Sequence, residues 1–149
     1  ARLRSAYPDV IVGIKDSSGV WTNTTELLKI DGLTVYPGAE LPVIDAIKLG
    51  APGCISATAN LNPTDIAAVI DLCHEGKWDE AETLHEKVKK VRLLFQDYAP
   101  IPAQKALMAR ITGDEKWHNL RAPLQAISAE KARELETVLT TDFGFNFDS

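Results

Sequence analysis

A lysine at the end of an apolar, strand-like run is the residue with the most chemical potential in this sequence. The run reads Val10-Ile11-Val12-Gly13-Ile14-Lys15-Asp16-Ser17-Ser18-Gly19. A strand alternates faces with period two, so Ile11, Gly13 and Lys15 share one face while Val10, Val12 and Ile14 share the other. Gly13 puts no side chain beneath the amine. Where such a face lines a pocket, desolvation favours the neutral amine, and a neutral lysine adds to a carbonyl to form a Schiff base. The same local pattern also describes an ordinary solvated lysine at a strand end. Asp16 either tunes the charge of its neighbour or caps the following turn.

Other polar residues offer less. Ser56, Thr58 and Asn60, with the Gly50–Gly53 stretch, have the composition of a phosphate cradle, but packing and loop closure account for them as well. His74, His85 and His118 share no ligand spacing with a third group, so they read as structural or surface residues, and no metal site is expected. His74 falls in the last turn of a helix, where a partial positive charge suits the dipole.

These residues need elements to position them. Ala1 to Pro8 reads as the tail of a helix, Val10 to Ile14 as a strand, and Asn23 with Glu26 as the capped start of a helix to about Ile30. Leu33 to Tyr36 is the second strand, and Leu41, Ile44, Ile47 and Leu49 mark a helix from Glu40 that stops at Gly50. Gly53 to Ala57 is the third strand-like run, followed by an Asn62-Pro63 helix start and the apolar positions Ile66, Val69, Ile70 and Cys73. Three strand-loop-helix units in succession imply parallel strands, hence α/β architecture.

From Trp78 onward only helices are expected. Ala81, Leu84, Val88, Val91 and Phe95 step by three and four along a long helix that Pro100 and Pro102 end. Helices from Ala103 to about Ile111 and from Ser128 to about Leu139 follow. The organisation read from the sequence is therefore residues 1–76 as the α/β part, 77–141 as a helical extension and 142–149 as a loosely held tail.

At 149 residues and 45% hydrophobic content the chain suffices for one domain with a core. Its net charge of −5 lacks a basic patch, because Glu80, Glu82 and Glu86 precede Lys87, Lys89, Lys90 and Arg92, so nucleic acid is not an expected partner. Cys54 and Cys73 read as reduced, buried thiols. No run reaches transmembrane length and no basic-then-apolar leader opens the chain, so no membrane partner is expected and the cytoplasm is the expected compartment.

Four segments together resemble the dihydrodipicolinate synthase and N-acetylneuraminate lyase family of class I aldolases. They are Ile11-Val12-Gly13-Ile14-Lys15-Asp16-Ser17-Ser18-Gly19, Tyr36-Pro37-Gly38-Ala39-Glu40, Gly53-Cys54-Ile55-Ser56-Ala57-Thr58-Ala59-Asn60 with Pro63, and Ala99-Pro100-Ile101-Pro102. The resemblance implies the C-terminal half of a TIM (β/α)8 barrel, its last three βα units being strands six to eight, followed by an all-helical C-terminal extension. It implies that Lys15 is the Schiff-base residue acting on pyruvate or a related 2-keto acid, without a cofactor. It also implies that the backbone at Gly38 and Ile55 borders the keto-acid pocket.

The departures from the family pattern matter as much. The resemblance places the family's tyrosine relay and its hydroxyl-rich carboxylate loop before Ala1, and Tyr7, Tyr36 and Tyr98 do not occupy the relay position. Three strands of eight leave two open edges, so a complementary N-terminal half or a homo-oligomer is expected to cover them. Gly38-Ala39-Glu40 stands where members using aspartate semialdehyde commonly have Gly-Asp-Asp, so a related 2-keto-acid aldolase or dehydratase fits equally. The alternative function is a non-catalytic half-barrel fragment or interaction module that needs a partner chain.

Overall fold

The first strand starts later than the apolar run suggests. In the computed structural model, which describes residues 1–147, helix α1 spans Arg2–Ala6 and a turn closes behind it. Val10 and Ile11 both donate their N–H to the Tyr7 carbonyl, at 3.2 and 2.9 Å. These bonds hold Val10 out of the ladder, so β1 spans Gly13–Asp16 and not Val10–Ile14. Lys15 is consequently inside the strand.

Helix α2, Trp21–Leu28, carries the chain from β1 to β2, Thr34–Pro37, which runs parallel to β1 with Lys15 opposite Tyr36 and Asp16 opposite Pro37. The expected cap at Asn23 is corrected to Val20. Asn23 instead sits in the first turn with its amide donating to the Asp16 carboxylate at 3.0 Å. Helix α3, Val43–Lys48, begins after Pro42 and not at Glu40, whose side chain is turned inward with 0% exposure.

The expected third strand, Gly53 to Ala57, does not form; among the described residues the sheet has two strands, β1 and β2. The segment does lie beside β2, because Ile55 donates its N–H to the Pro37 carbonyl at 3.0 Å. In a parallel ladder the reciprocal bond would run from the N–H of residue 37 to the Gly53 carbonyl. Proline has no N–H, so the ladder stops at one bond. A short 3₁₀ turn at Ala57–Asn60 follows.

Helix α4, Pro63–His74, starts at the expected Asn62-Pro63 pair, although the Asn62 side chain makes no capping hydrogen bond. Helix α5 spans Trp78–Leu94. Val43 and Ile44 of α3, Ile66, Val69 and Cys73 of α4, and Ala81 and Val88 of α5 form one buried cluster. Fully burying a valine-sized side chain contributes about 1.5–3 kcal/mol, so this cluster is a large part of what holds α3, α4 and α5 together.

The chain divides into two compact units, Ala1–Val88 and Lys89–Ser149, a boundary that falls within α5. The sequence places the change at 76/77, where strand signals cease. In the second unit α6 spans Pro100–Thr112, earlier than Ala103 because its prolines sit in the first turn, where missing N–H groups cost nothing. A 3₁₀ turn, Glu115–His118, leads on to α7, Ala129–Phe143, whose Ser128 cap accepts the Lys131 N–H at 3.2 Å. Leu107 of α6 and Leu135 and Leu139 of α7 are buried.

The region expected to be a loose tail from residue 142 contains the end of α7 and a buried Phe147, whose carbonyl accepts from Arg110 at 3.2 Å. Residues 148 and 149 lie outside the described residues. Among the described residues, no helix is long and apolar enough to cross a membrane.

Candidate functional site

Lys15 lies one residue from the carboxyl end of β1, opposite Tyr36 in the ladder, and its side chain is exposed. The space expected beneath the amine has a different meaning in the structure. A Cβ on Gly13 would stand 2.9 Å from the Thr34 carbonyl oxygen, so the glycine serves the close approach of β1 to β2.

The alternatives for Asp16 resolve toward the turn. Strand alternation sends its carboxylate to the face opposite Lys15. There it accepts hydrogen bonds from Thr24 Oγ1 at 2.6 Å, Asn23 Nδ2 at 3.0 Å and the Ser18 N–H at 3.0 Å. The Thr24 hydroxyl, aided by Ser18 and Asn23, holds the carboxyl below the usual aspartate range, against the opposing effect of burial.

Gly38 follows β2 as Ser17 follows the lysine strand, and its N–H donates to the Asp16 carbonyl at 2.7 Å. A Cβ at residue 38 would meet that carbonyl oxygen at 2.8 Å and the Ser17 Cα at 3.0 Å. Ile55 is joined to the same end of the sheet through its bond to Pro37, with its side chain 46% exposed. Lys15, Gly38 and Ile55 thus stand on three adjacent backbone segments, linked in order by Asp16, Gly38 and Pro37.

A buried polar group behind this end was not anticipated as a unit. Ser56 Oγ donates to the Glu40 carboxylate, and His85 Nε2 donates to the Glu40 backbone carbonyl at 2.8 Å. Because a carbonyl only accepts, this contact puts the His85 proton on Nε2. Burial, reinforced by the charge of Glu40, pushes the Cys54 thiol up to about 12. The signal for His85 was present: it lies four residues after Ala81 and three before Val88, on the apolar stripe of α5. Glu40 carried no such signal, since an acid after a Gly-Ala pair also reads as the first turn of a helix.

The remaining histidines have partners away from this group. His74 Nε2 lies 3.0 Å from the Pro52 carbonyl, and His118 lies 3.4 Å from Glu115. Cys54 and Cys73 are both free thiols, half-buried and buried respectively.

A parallel strand-helix-strand unit continued by helices defines the fold class as α/β. The sequence matches the profile of the dihydrodipicolinate synthetase family over residues 1–142, and the chain belongs to that family. It is 34% identical over 149 residues to the 4-hydroxy-tetrahydrodipicolinate synthase of Persephonella marina, with 97% of this chain and 49% of that protein covered. The synthase of the same name from Methanosphaerula palustris is also 34% identical, over 92% of this chain and 47% of its own length. The crystal structure of dihydrodipicolinate synthase from Agrobacterium tumefaciens superposes with a TM-score of 0.75 at 32% identity, covering 97% of this chain and 47% of that one. The chain therefore spans about half the length of the relatives it matches.

Proposed function

We propose that this chain is the lysine-bearing half of a Schiff-base lyase acting on pyruvate or a related 2-keto acid. In this reading it comes from the end of a (β/α)8 barrel, with two of its strands formed in this chain, carries the helical extension, and works in the cytoplasm without a cofactor. The observation that carries the reading is the place of Lys15, near the carboxyl end of a parallel strand and tied through Asp16 to Gly38, in a chain of this family. The amine adds to the keto carbonyl and water leaves, giving an iminium. That iminium takes up the electron pair when a neighbouring carbon–carbon bond breaks, or yields the enamine that attacks an aldehyde. Gly38 and Ile55 contribute backbone at the border of the keto-acid site.

The exposure of Lys15 supports the further reading that a complementary N-terminal half, or another copy in a homo-oligomer, completes the site. It equally favours a second reading, a non-catalytic half-barrel module. Borohydride reduction with pyruvate, on the protein in its native assembly, separates the two. A reduced pyruvate adduct mapped to Lys15 is the expected result; a folded sample that gives none overturns the lyase reading.

A further inference from the structure

We propose that Asp16 is a positioning residue for Lys15, its carboxylate locking the strand end that carries the amine onto helix α2. The inference rests on the Schiff-base reading of Lys15. Asp16 is the last residue of β1 and is held on both sides of its backbone. Its carbonyl accepts the Gly38 N–H at 2.7 Å, and its carboxylate accepts from Thr24, Asn23 and Ser18. Two of these donors, Asn23 and Thr24, belong to α2, and Thr24 is buried on that helix.

The arrangement does more than cap a turn. A turn cap is satisfied by the Ser18 N–H alone, the contact two residues along the chain. The bonds to Asn23 and Thr24 reach seven and eight residues away and fix where β1 ends relative to the helix. Lys15 is exposed on a flexible stem, so what the Asp16 contacts fix within this chain is the backbone from which the amine extends. A misplacement of about 1 Å at such a backbone costs up to about a hundredfold in rate for a reaction that depends on alignment.

The test uses the protein in its native assembly, with pyruvate and cyanoborohydride, and follows the Lys15 peptide by mass spectrometry. Thr24→Val removes the hydroxyl at nearly constant size, whereas Thr24→Ser keeps it. The expected result is a fall of about fivefold to tenfold in the trapping rate at saturating pyruvate for Thr24→Val. The half-saturating concentration stays within about twofold, and Thr24→Ser restores the rate. Asp16→Asn falls further; if that variant does not fold, the Thr24 pair decides. Folded variants that lose thermal stability but trap at the wild-type rate overturn the proposal, as does an equal loss in Thr24→Val and Thr24→Ser. A wild-type protein that forms no adduct overturns the lyase reading itself and this role with it.

Discussion

At the residue scale, Asp16 is a buried carboxylate that stays charged because three donors converge on it, the Thr24 hydroxyl foremost. Its folded pKa lies below its unfolded value of about 3.9, so it contributes stability above that pH. The contribution is lost as the pH falls through the lowered folded value. Asp16→Asn is expected to be less stable by about 1–3 kcal/mol at neutral pH, the scale of hydrogen bonds to a charged group. Urea unfolding from pH 6 downward should show the gap between wild type and variant closing below about pH 4. A gap that stays constant with pH would mean that the charge of Asp16 is not what α2 recognises. Lys15 was legible from its place after an apolar run, and Gly38 and Ile55 from the family resemblance. Asp16 was legible only as two alternatives, because sequence spacing does not show which donors a carboxylate meets. The link between Glu40, Ser56 and His85 joins residues 16 and 45 positions apart, which no local pattern reports.

At the scale of elements, the order of strands and helices followed from hydrophobic period, while their ends were decided by single hydrogen bonds. The two bonds to the Tyr7 carbonyl delay β1, and the missing N–H of Pro37 prevents a third strand. Both depend on which backbone groups meet, which apolar period cannot encode. Gly38 makes the same point about contact. Its added Cβ would strike backbone, the Asp16 oxygen and the Ser17 Cα, neither of which can move aside as a flexible side chain does. Gly38→Ala is therefore expected to cost about 1–3 kcal/mol, the range for overpacking, and to weaken the 2.7 Å bond to Asp16. Urea unfolding measures the first effect and amide exchange at residue 38 the second. Unchanged exchange would show that the loop after β2 relaxes without disturbing the end of β1.

At the scale of the whole molecule, the first unit leaves apolar surface beside an open sheet edge. Val10 and Val12, just before β1, and Ile14 within it are 74%, 61% and 40% exposed. Among the described residues β1 pairs only with β2, so its other edge carries unpaired backbone groups. Open strand edges next to exposed apolar residues template association, and a lysine at such an edge opposes it. The chain on its own is expected to associate as its concentration rises, by sedimentation velocity, and Val12→Lys to reduce that association. Val12 is already exposed, so the variant should leave the unfolding midpoint nearly unchanged. Equal association of wild type and variant would move the contact away from this edge. A wild-type chain that stays monomeric across the range would show that β1 needs no cover, which removes the physical argument for a complementary half at this edge.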